Sequence, residues 1–368
     1  MQRSRPLSLE DGIQQPLRNA EDHWALHSAM TFPKWISNLL LAPVLASTQS
    51  SSRSTATTSS SSAQFTLPIE ATLGATLLPN IYDPSAPDVQ SKCPGYMASK
   101  VKMSSTGLTA QLDLAGTACD VYGIDVHRLN LTVEYQTDSR LHINIQPAHM
   151  TSQNESWYLL STDYVPAASP GNGKVTTSDL TFSWTNSEGS GFGFNVTRNS
   201  TGDVLFSTTG TKLVYENQFI EFVTHQEDGY NVYGLGEVIH GLRLGNNLTR
   251  TIYAADVGNP IDANIYGSHP FYLQTKYFEM TAHNRTTLIT GDLGTANATS
   301  NYTSYSHGVY LRNAHGMEVR LHPTNVTWRT LGGSIGLYFF AGPTPADVTR
   351  QYLHVIGMPA LQVSISTG

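Results

Sequence analysis

From Phe65 onward, apolar and polar residues alternate in short segments that glycine, proline, asparagine and aspartate interrupt. The clearest pair is residues 129–135 and 141–145, in which every second side chain is apolar. A period of two is typical of a strand with one buried face. Residues 137–139 (Thr-Asp-Ser) supply turn chemistry between the two segments, so the sequence predicts a β-hairpin here.

Similar short runs recur along the rest of the chain and predict further strands. They occupy residues 181–184, 192–196, 204–207, 219–223, 271–280, 287–290, 309–312, 317–322 and 335–341. So many strands with few helical stretches between them indicate a mainly β fold, a large antiparallel β-sandwich. The pattern lacks the alternation of strands and helices that a (β/α)8 barrel requires.

One helix is predicted near the end of the chain. Thr344 is a suitable N-cap, Pro345 follows at the first helical position, and Asp347 places a carboxylate in the first turn. An apolar stripe between residues 348 and 356 gives the helix a buried face, and Gly357 ends it.

The N-terminal part of the chain has the composition of a leader. Residues 30–46 begin with Met-Thr-Phe-Pro-Lys, continue through an apolar run and end in small residues, as a secretory signal peptide does. The apolar run is too short to cross a bilayer as a helix, and the alternative is a buried helix or an N-terminal anchor. We expect Met30 to be the true start and residues 1–29 to be an extension from gene prediction.

Composition also sets the remaining boundaries. Residues 47–64 are rich in serine and threonine and cannot form a core, so they are predicted to be a flexible spacer. The β-sandwich then occupies residues 65–342, and the helical segment residues 343–360. Residues 361–368 form an unpatterned, aberrant tail, so the helix is expected to lead into a further domain.

Charged residues are scarce in this chain. Lys and Arg number 21 and Asp and Glu 28, so 13% of residues are charged and the net charge is −7. Soluble domains usually carry about 25% charged residues. With no cluster of basic residues, binding to nucleic acid is not expected. A surface with so few charges needs another source of hydration, which serine, threonine, asparagine and glycans provide.

Nine Asn-x-Ser/Thr sequons are typical of a secreted glycoprotein. They lie at Asn130, Asn154, Asn195, Asn199, Asn247, Asn284, Asn297, Asn301 and Asn325. Because serine and threonine are abundant, their number carries more weight than any single site.

The chain has two cysteines, Cys93 and Cys119. In an oxidising compartment we expect them to form a disulfide, with two buried free thiols as the alternative. Without a Cys-x-x-Cys pair or a His-Glu-x-x-His motif, we predict no metal site, no redox chemistry and no cofactor. After removal of the signal peptide we expect an extracellular protein that has no membrane segment.

Several motifs that suggest catalysis lack the required context. Residues 332–336 match the Gly-x-Ser-x-Gly pattern of serine hydrolases, but they precede a predicted strand instead of following one, so a glycine-rich turn is expected. Residues 234–236 (Gly-Leu-Gly) lack the third glycine of a dinucleotide site. The scattered histidines His240, His269 and His283 are interpreted as surface or structural residues.

The segment from Tyr230 to Met280 combines glycine, aspartate and asparagine with aromatic residues. Carboxylates and amides hydrogen-bond sugar hydroxyls, and aromatic faces pack on sugar rings. This composition fits a sugar site, although loops between strands share much of it.

Parts of this segment resemble the N-terminal β-sandwich of glycoside hydrolase family 31, especially the secreted fungal α-glucosidases. The resemblance is carried by residues 233–237 (Tyr-Gly-Leu-Gly-Glu) and 261–273 (Ile-Asp-Ala-Asn-Ile-Tyr-Gly-Ser-His-Pro-Phe-Tyr-Leu). Residues 339–348 (Phe-Phe-Ala-Gly-Pro-Thr-Pro-Ala-Asp-Val) also match, and the similarity extends over about residues 67–359.

The resemblance implies a galactose-mutarotase-like sandwich, one loop of which completes the sugar site of a (β/α)8 barrel. By this resemblance Asp256 hydrogen-bonds substrate hydroxyls, and Asn259 and Asp262 lie in the same loop. The alternative for Asp256 is a turn carboxylate that caps local N–H groups. Cys93 and Cys119 resemble the early disulfide pair of the family.

The resemblance also implies catalytic residues that we do not find in this sequence. The nucleophile of the family lies in a Trp-x-Asp-Met-Asn-Glu motif of the barrel, and none of the 5 tryptophans begins such a motif. Retaining hydrolysis needs two carboxylates about 5–5.5 Å apart, and a barrel takes about 250 residues. We therefore assign no catalytic residue and expect a truncated, inactive chain without its barrel.

The parent enzyme implied by the resemblance hydrolyses terminal α-linked glucose from maltose and malto-oligosaccharides with retention. An α-glucosidic oligosaccharide, bound through that enzyme, is the expected ligand. A stand-alone carbohydrate-binding module of a secreted protein is the main alternative. A sugar epimerase of mutarotase type would share only the fold, and it needs a His/Glu pair that we cannot place.

Overall fold

The computed structural model describes residues 86–150, 171–254, 261–280, 286–289 and 301–359, with residues 286–289 described as backbone only. The chain divides into two compact units, Met1–Gln64 and Phe65–Gly368, and every described residue belongs to the second. The predicted signal peptide, spacer and tail lie outside the described residues. No helix in the described ranges has the length and apolar character to cross a membrane.

The described part of the chain contains strands almost throughout. The strands are β1 (Tyr96–Ser104), β2 (Gly107–Leu114), β3 (Arg128–Thr137), β4 (Arg140–Pro147), β5 (Leu180–Ser187), β6 (Gly191–Arg198), β7 (Val204–Ser207), β8 (Val214–Glu216), β9 (Phe219–His225), β10 (Asn231–Gly234), β11 (Leu248–Ile252), β12 (Phe271–Met280), β13 (Thr286–Ile289), β14 (Asn301–Leu311), β15 (Met317–His322), β16 (Asn325–Thr330) and β17 (Ile335–Phe340). The helices are α1 (Val89–Lys92) and α2 (Pro345–Ile356).

The named strands pair antiparallel in three sheets. The large sheet has nine strands in the order β1-β2-β3-β4-β17-β14-β12-β10, and β13 pairs with β12. The second sheet has the order β11-β15-β16-β9-β8, and the third β5-β6-β7. Apolar residues from all three sheets form one core. The mainly β, antiparallel sandwich with a C-terminal helix, predicted from the sequence, is confirmed.

The predicted hairpin is formed by β3 and β4. Leu131 lies opposite Ile145 and Val133 opposite Ile143, and all four side chains are buried in the core. The residues between them face outward, as the period of two predicts. Both strands extend slightly beyond the predicted segments.

β17 lies in the middle of the large sheet, between β4 and β14, and is buried on both faces. Ile335, Leu337 and Phe339 belong to the core of the sandwich. Tyr338 and Phe340 point to the other face, where they pack against α2. A strand buried on both faces reads as a continuous apolar run, which this segment is.

α2 covers the outer face of the large sheet over β12, β14 and β17. Tyr352 stacks on Phe271 with ring centroids 4.1 Å apart. Gly308 of β14 permits this close approach, because a Cβ there would lie 2.7 Å from Val348 Cγ1. The helix therefore covers the apolar side chains on this face of the sheet, among them Phe271, Tyr338 and Phe340.

The ends of α2 follow the sequence prediction. The Thr344 hydroxyl accepts a hydrogen bond from the Asp347 N–H (3.2 Å), and the Asp347 carboxylate accepts one from the Thr344 N–H (3.3 Å). This reciprocal arrangement is a capping box. Gly357 ends the helix with φ at 91°.

A row of charged side chains crosses the outer face of the second sheet. Arg329 on β16 donates from Nε to Glu221 Oε2 on β9 (2.6 Å) and from Nη1 to Glu318 Oε2 on β15 (3.4 Å). Gln90 of α1 donates to the second oxygen of Glu221 (2.9 Å). Both carboxylates are buried, and burial raises the pKa of Glu318 in spite of Arg329.

Buried polar contacts join the third sheet to the large one. Arg198 donates from Nη2 to the carbonyls of Ser306 (2.7 Å) and Ala341 (2.8 Å), and Lys276 Nζ donates to the carbonyl of Val204 (2.6 Å). Polar residues of β14 such as Ser306 are buried in this layer. Because these polar residues hide the apolar pattern, the predicted segment 309–312 covers only the end of β14, which begins at Asn301.

The sequence analysis did not predict six of the strands, namely β1, β2, β8, β10, β11 and β16. β1 lies at the edge of the large sheet and presents Lys100 and Lys102 among its residues, which obscures the alternation. Edge strands with charged side chains are a common protection against pairing with other chains.

Candidate functional site

Of the three predicted site residues, Asp262 lies in the described part of the chain, in the loop between β11 and β12. The Asp262 N–H donates to the Ile239 carbonyl (3.1 Å), and the Asp262 carbonyl accepts a hydrogen bond from Arg250 Nη1 (2.6 Å). The backbone of Asp262 has φ at 61°, the left-handed region that aspartate tolerates better than most residues. Asp256 and Asn259 lie outside the described residues.

His240 lies beside the Asp262 carboxylate. The distance from His240 Nε2 to Asp262 Oδ1 is 3.2 Å, and the two side chains are 20% and 12% exposed. The interpretation of His240 as a surface or structural residue did not foresee this contact. His240 thus lies within ion-pair distance of a carboxylate that is largely screened from water.

Two loops meet at Asp262, one after β10 and one before β12. Ile239 and Ile261 form a parallel bridge between them. Further along, the Leu235 N–H donates to the Phe271 carbonyl (2.8 Å) and the Gly236 N–H to the His269 carbonyl (2.9 Å). The pairing of β10 with β12 thus continues into the loops and fixes one against the other.

Glu237 ends the Tyr-Gly-Leu-Gly-Glu stretch and clamps the second loop. Its N–H donates to the Gly267 carbonyl (3.0 Å), its carbonyl accepts from the Ile265 N–H (2.9 Å), and its Oε2 accepts from the Gly267 N–H (2.8 Å). Gly236, just before it, must be glycine: φ is 92°, and a Cβ would lie 2.2 Å from Asn264 Oδ1. The conformation of this stretch is therefore set by Gly267 and Asn264 of the second loop.

The two loops that meet at Asp262 also carry exposed apolar and aromatic side chains. The exposed fractions are 45% for Ile239, 62% for Ile261, 61% for Tyr266 and 84% for Leu242. Side chains of this kind beside a carboxylate can pack on a sugar ring and hydrogen-bond its hydroxyls.

The cysteine pair lies far from these loops, between α1 and the second sheet. Cys93 and Cys119 form a disulfide with an S–S distance of 2.08 Å. Glu216 lies close enough to suggest a metal cluster with them, but both sulfur atoms are used in the disulfide. Its carboxylate instead accepts hydrogen bonds from the N–H groups of Val121 and Tyr122 (both 2.8 Å).

The Gly-x-Ser-x-Gly segment is a turn that leads into β17. Ser334 is 5% exposed, and its carbonyl accepts a hydrogen bond from Asn313 Nδ2 (3.0 Å). A nucleophilic serine must be exposed at a strand-to-helix turn. The expected glycine-rich turn is what the structure shows.

Comparison with known proteins identifies the sandwich. No family model matches the chain. It is 54% identical over 308 residues to an α-glucosidase of Aspergillus niger and 51% identical over 328 residues to one of Aspergillus oryzae. A family 31 glucosidase of Schizosaccharomyces pombe is 38% identical over 306 residues. The chain belongs to family 31 of the glycoside hydrolases.

This family 31 chain spans only part of its relatives. The matches cover 83%, 89% and 81% of the chain but 31%, 33% and 28% of the two Aspergillus enzymes and the Schizosaccharomyces protein. The chain thus spans about a third of the length of these relatives.

Solved structures show the same fold in the family. The glucosidase II alpha subunit, solved with DNJ bound, superposes with a TM-score of 0.52 at 14% identity. The superposition covers 79% of this chain and 36% of that one. At such identity the likeness concerns the fold alone.

The residues that hold Asp262 in place are not predicted from the sequence. Arg250 lies on β11, which has no clear alternation, and nothing in the local sequence relates it to the later loop. Glu237 belongs to the Tyr-Gly-Leu-Gly-Glu stretch that carries the family resemblance, but its contacts with the second loop follow only from its position opposite Gly267. These contacts join residues that are distant in sequence, so no local pattern indicates them.

Proposed function

We propose that this chain is the N-terminal, substrate-site-completing β-sandwich of a secreted α-glucosidase. The parent enzyme hydrolyses terminal α-linked glucose from maltose and malto-oligosaccharides with retention, and the 368-residue chain alone is inactive. The observation that carries the proposal is the 54% identity over 308 residues to an α-glucosidase. Identity at this level over the whole sandwich favours the same role in the same kind of enzyme.

The loop geometry supports a role in substrate binding. Asp262 is fixed through its backbone by Arg250 and Ile239, so its carboxylate is held before a ligand arrives. A pre-positioned carboxylate loses little conformational entropy when it accepts hydrogen bonds from sugar hydroxyls. We assign Asp256 and Asn259 to the same substrate-binding loop.

The partner of the sandwich is a catalytic (β/α)8 barrel that supplies the nucleophile and the acid/base carboxylate. Exposed apolar side chains in the two loops, those of Ile239, Leu242 and Ile261, support this assignment, because exposed apolar groups that cluster mark a surface that another domain covers.

Activity of the isolated chain is the first test. The purified chain, incubated with maltose and with an aryl α-glucoside, is expected to release no glucose above background. Turnover that copurifies with the chain through several chromatographic steps would show that the chain carries its own catalytic carboxylates.

A chimera tests the role in substrate binding. In the Aspergillus niger α-glucosidase the matching segment is replaced by this chain, and the chimera is expected to cleave maltose with retention of configuration. Asp256→Ala and Asp262→Ala in the chimera should lower kcat/KM by about 10- to 100-fold, the cost of one hydrogen bond to a charged group. Exposed Asp88, changed to Ala, is the control and should have no effect. Unchanged kcat/KM in both loop variants would exclude the proposed binding role.

Titration separates the proposal from a stand-alone carbohydrate-binding module. If the site needs the barrel, calorimetry with maltose and isomaltose should show no dissociation constant below about 1 mM, which corresponds to a binding free energy of ~4 kcal/mol. Micromolar affinity of the isolated chain for either sugar would favour the module instead.

Secretion is part of the proposal, and the Cys93–Cys119 disulfide supports it, because such bonds persist in oxidising compartments. N-terminal sequencing of the mature protein from its native host should begin at Ser47. A mature protein that retains residues 1–29 would contradict both the leader and the proposed start at Met30.

A further inference from the structure

Six of the nine sequons lie in described residues, and the structure divides them into two groups. Asn130, Asn247 and Asn301 have exposed side chains. Within the described ranges no hydrogen bond fixes the amide of any of the three, or the hydroxyl of the threonine two positions later. The folded chain therefore loses no such hydrogen bond when the three asparagines carry a bulky substituent.

Asn130 shows how a strand position can carry a glycan. Leu129 and Leu131 on either side of it are buried in the core, so Asn130 and Thr132 point together away from the core on the outer face of β3. Asn130 lies opposite Gln111 of β2 and Gln146 of β4, and this face is polar.

Asn199 is also exposed, but the side chains of its sequon make hydrogen bonds within the fold. Its Nδ2 donates to the Ser178 carbonyl (2.8 Å), and its Oδ1 accepts from the Thr181 hydroxyl (2.8 Å). Thr201, the third residue of the sequon, donates its hydroxyl to Asp203. The amide nitrogen and the hydroxyl that glycosylation requires are both engaged.

The other two described sequons are also hindered. Asn195 is half-buried and its Oδ1 accepts a hydrogen bond from the Thr209 hydroxyl (3.1 Å). Asn325 is half-buried, and Thr327 at the third position of its sequon is 7% exposed.

We propose that Asn130, Asn247 and Asn301 carry N-linked glycans and that Asn195, Asn199 and Asn325 do not. The donor is a lipid-diphosphate-linked oligosaccharide. The asparagine Nδ2 forms a bond to C1 of the first sugar, the C1–O bond to the diphosphate breaks, and Nδ2 releases one proton as the lipid diphosphate leaves. The inference rests on entry into the secretory pathway, which is part of the proposed function.

Glycopeptide mapping tests the assignment. The full chain is expressed in a eukaryotic host behind the secretion signal of that host, so that entry does not depend on residues 30–46. The secreted protein is digested, and an amidase removes the glycans, which leaves aspartate in place of each modified asparagine. Aspartate is expected at positions 130, 247 and 301, and asparagine at 195, 199 and 325.

Sequon variants provide the matched controls. Thr132→Ala should increase gel mobility by the mass of one glycan, whereas Thr132→Ser, which keeps the sequon, should not. Thr201→Ala removes the sequon at Asn199 and should leave the mobility unchanged.

Modification of Asn199 to the same extent as Asn130 would overturn the assignment. Secreted, disulfide-bonded protein without glycans at positions 130, 247 and 301 would do the same. Neither result bears on the activity of the chimera, so the proposed function stands or falls separately.

Discussion

At the scale of single residues, the row of Glu221, Arg329 and Glu318 has the strongest energetic consequence. The two carboxylate side chains are each 2% exposed and the arginine side chain 19%. Removing charges from water is unfavourable unless partners compensate, and Arg329 is the guanidinium that both carboxylates share, beside the Gln90 amide on Glu221. The cross-strand register, which places the three residues side by side, makes this compensation possible.

Arg329→Met is expected to destabilise the chain by about 3–5 kcal/mol, because it leaves two buried carboxylates without their partner. Urea unfolding followed by tryptophan fluorescence measures the free energy of unfolding. Arg128→Met removes an exposed ion pair with Asp113 (60% and 38% exposed) and is the control, with an expected loss below about 1 kcal/mol. Equal losses in the two variants would contradict the role of burial.

Glu318→Gln should become more stable relative to the parent chain as the pH rises. Burial raises the pKa of Glu318 above its ordinary value of 4.5. The stability that this shift contributes is therefore complete below the unfolded pKa and disappears as the pH rises through the folded pKa. Glutamine mimics the protonated form at every pH, and urea unfolding between about pH 4 and about pH 7 measures the growing difference.

Glu134→Gln is the control of opposite sign. A hydrogen bond from His142 lowers the pKa of Glu134, so its contribution is present above the unfolded pKa and is lost as the pH falls. The variant should be less stable than the parent at neutral pH and equal to it in acid. A parallel pH dependence of the two variants would refute this interpretation.

The residue scale also shows where prediction from sequence stops. A family resemblance placed Asp262 in the site loop, and the structure shows what fixes it there. His240 and Arg250 reach it from a different loop and a different strand. Their positions depend on how β10 and β11 are arranged around the later loop, which no local pattern encodes.

At the scale of elements, α2 shows what sequence patterns predict best. The capping residues, the apolar stripe and the terminal glycine are all local signals, and the observed helix agrees with each of them. β3 and β4 are similar, because one face of each strand is buried and the other is polar. β10 and β11 are short and mix buried with exposed positions, so their sequences carry no such signal.

Tyr352→Ala is expected to cost about 3–5 kcal/mol of stability, as large-to-small changes of buried aromatic residues do. The ring stacks on Phe271 and contacts Tyr310 and Phe340 at their edges. His354→Ala, on the exposed side of the same helix, is the control and should change stability by less than about 0.5 kcal/mol. Thermal and urea unfolding measure both; a neutral Tyr352→Ala would mean that α2 is not docked.

At the scale of the whole molecule, the scarcity of charged residues and the exposure of apolar side chains are compensated in different ways. Glycans at Asn130, Asn247 and Asn301 would hydrate polar faces and also prevent another domain from covering them. In the proposed function, the exposed apolar side chains of the site loops form the surface that contacts the barrel. The two groups of residues thus define which surfaces stay in water in the parent protein.

Leu242→Ser should have opposite effects in the isolated chain and in the chimera. Leu242 is 84% exposed, so in the isolated chain the change should reduce dye binding and aggregation on heating. If the barrel contacts this surface in the chimera, as proposed, the change should lower the stability of the chimera by about 1–3 kcal/mol through lost burial.

Met103→Ser, at a residue of β1 that is 81% exposed, is the control and should leave the stability of the chimera unchanged. Dye fluorescence, light scattering and unfolding curves provide the comparison. A Leu242→Ser chimera as stable as the parent chimera would exclude this surface as the contact with the barrel.

The place of β17 in the large sheet sets the order in which the protein can fold during synthesis. β17 is the last strand of the sandwich along the described chain, yet it joins β4 to β14 in the middle of the sheet. Until the ribosome has released these residues, β4 presents an unpaired, apolar edge, and pairings between segments distant in sequence form slowly. The nascent sandwich therefore stays incomplete, and open to wrong strand pairings, until almost all of it has been made.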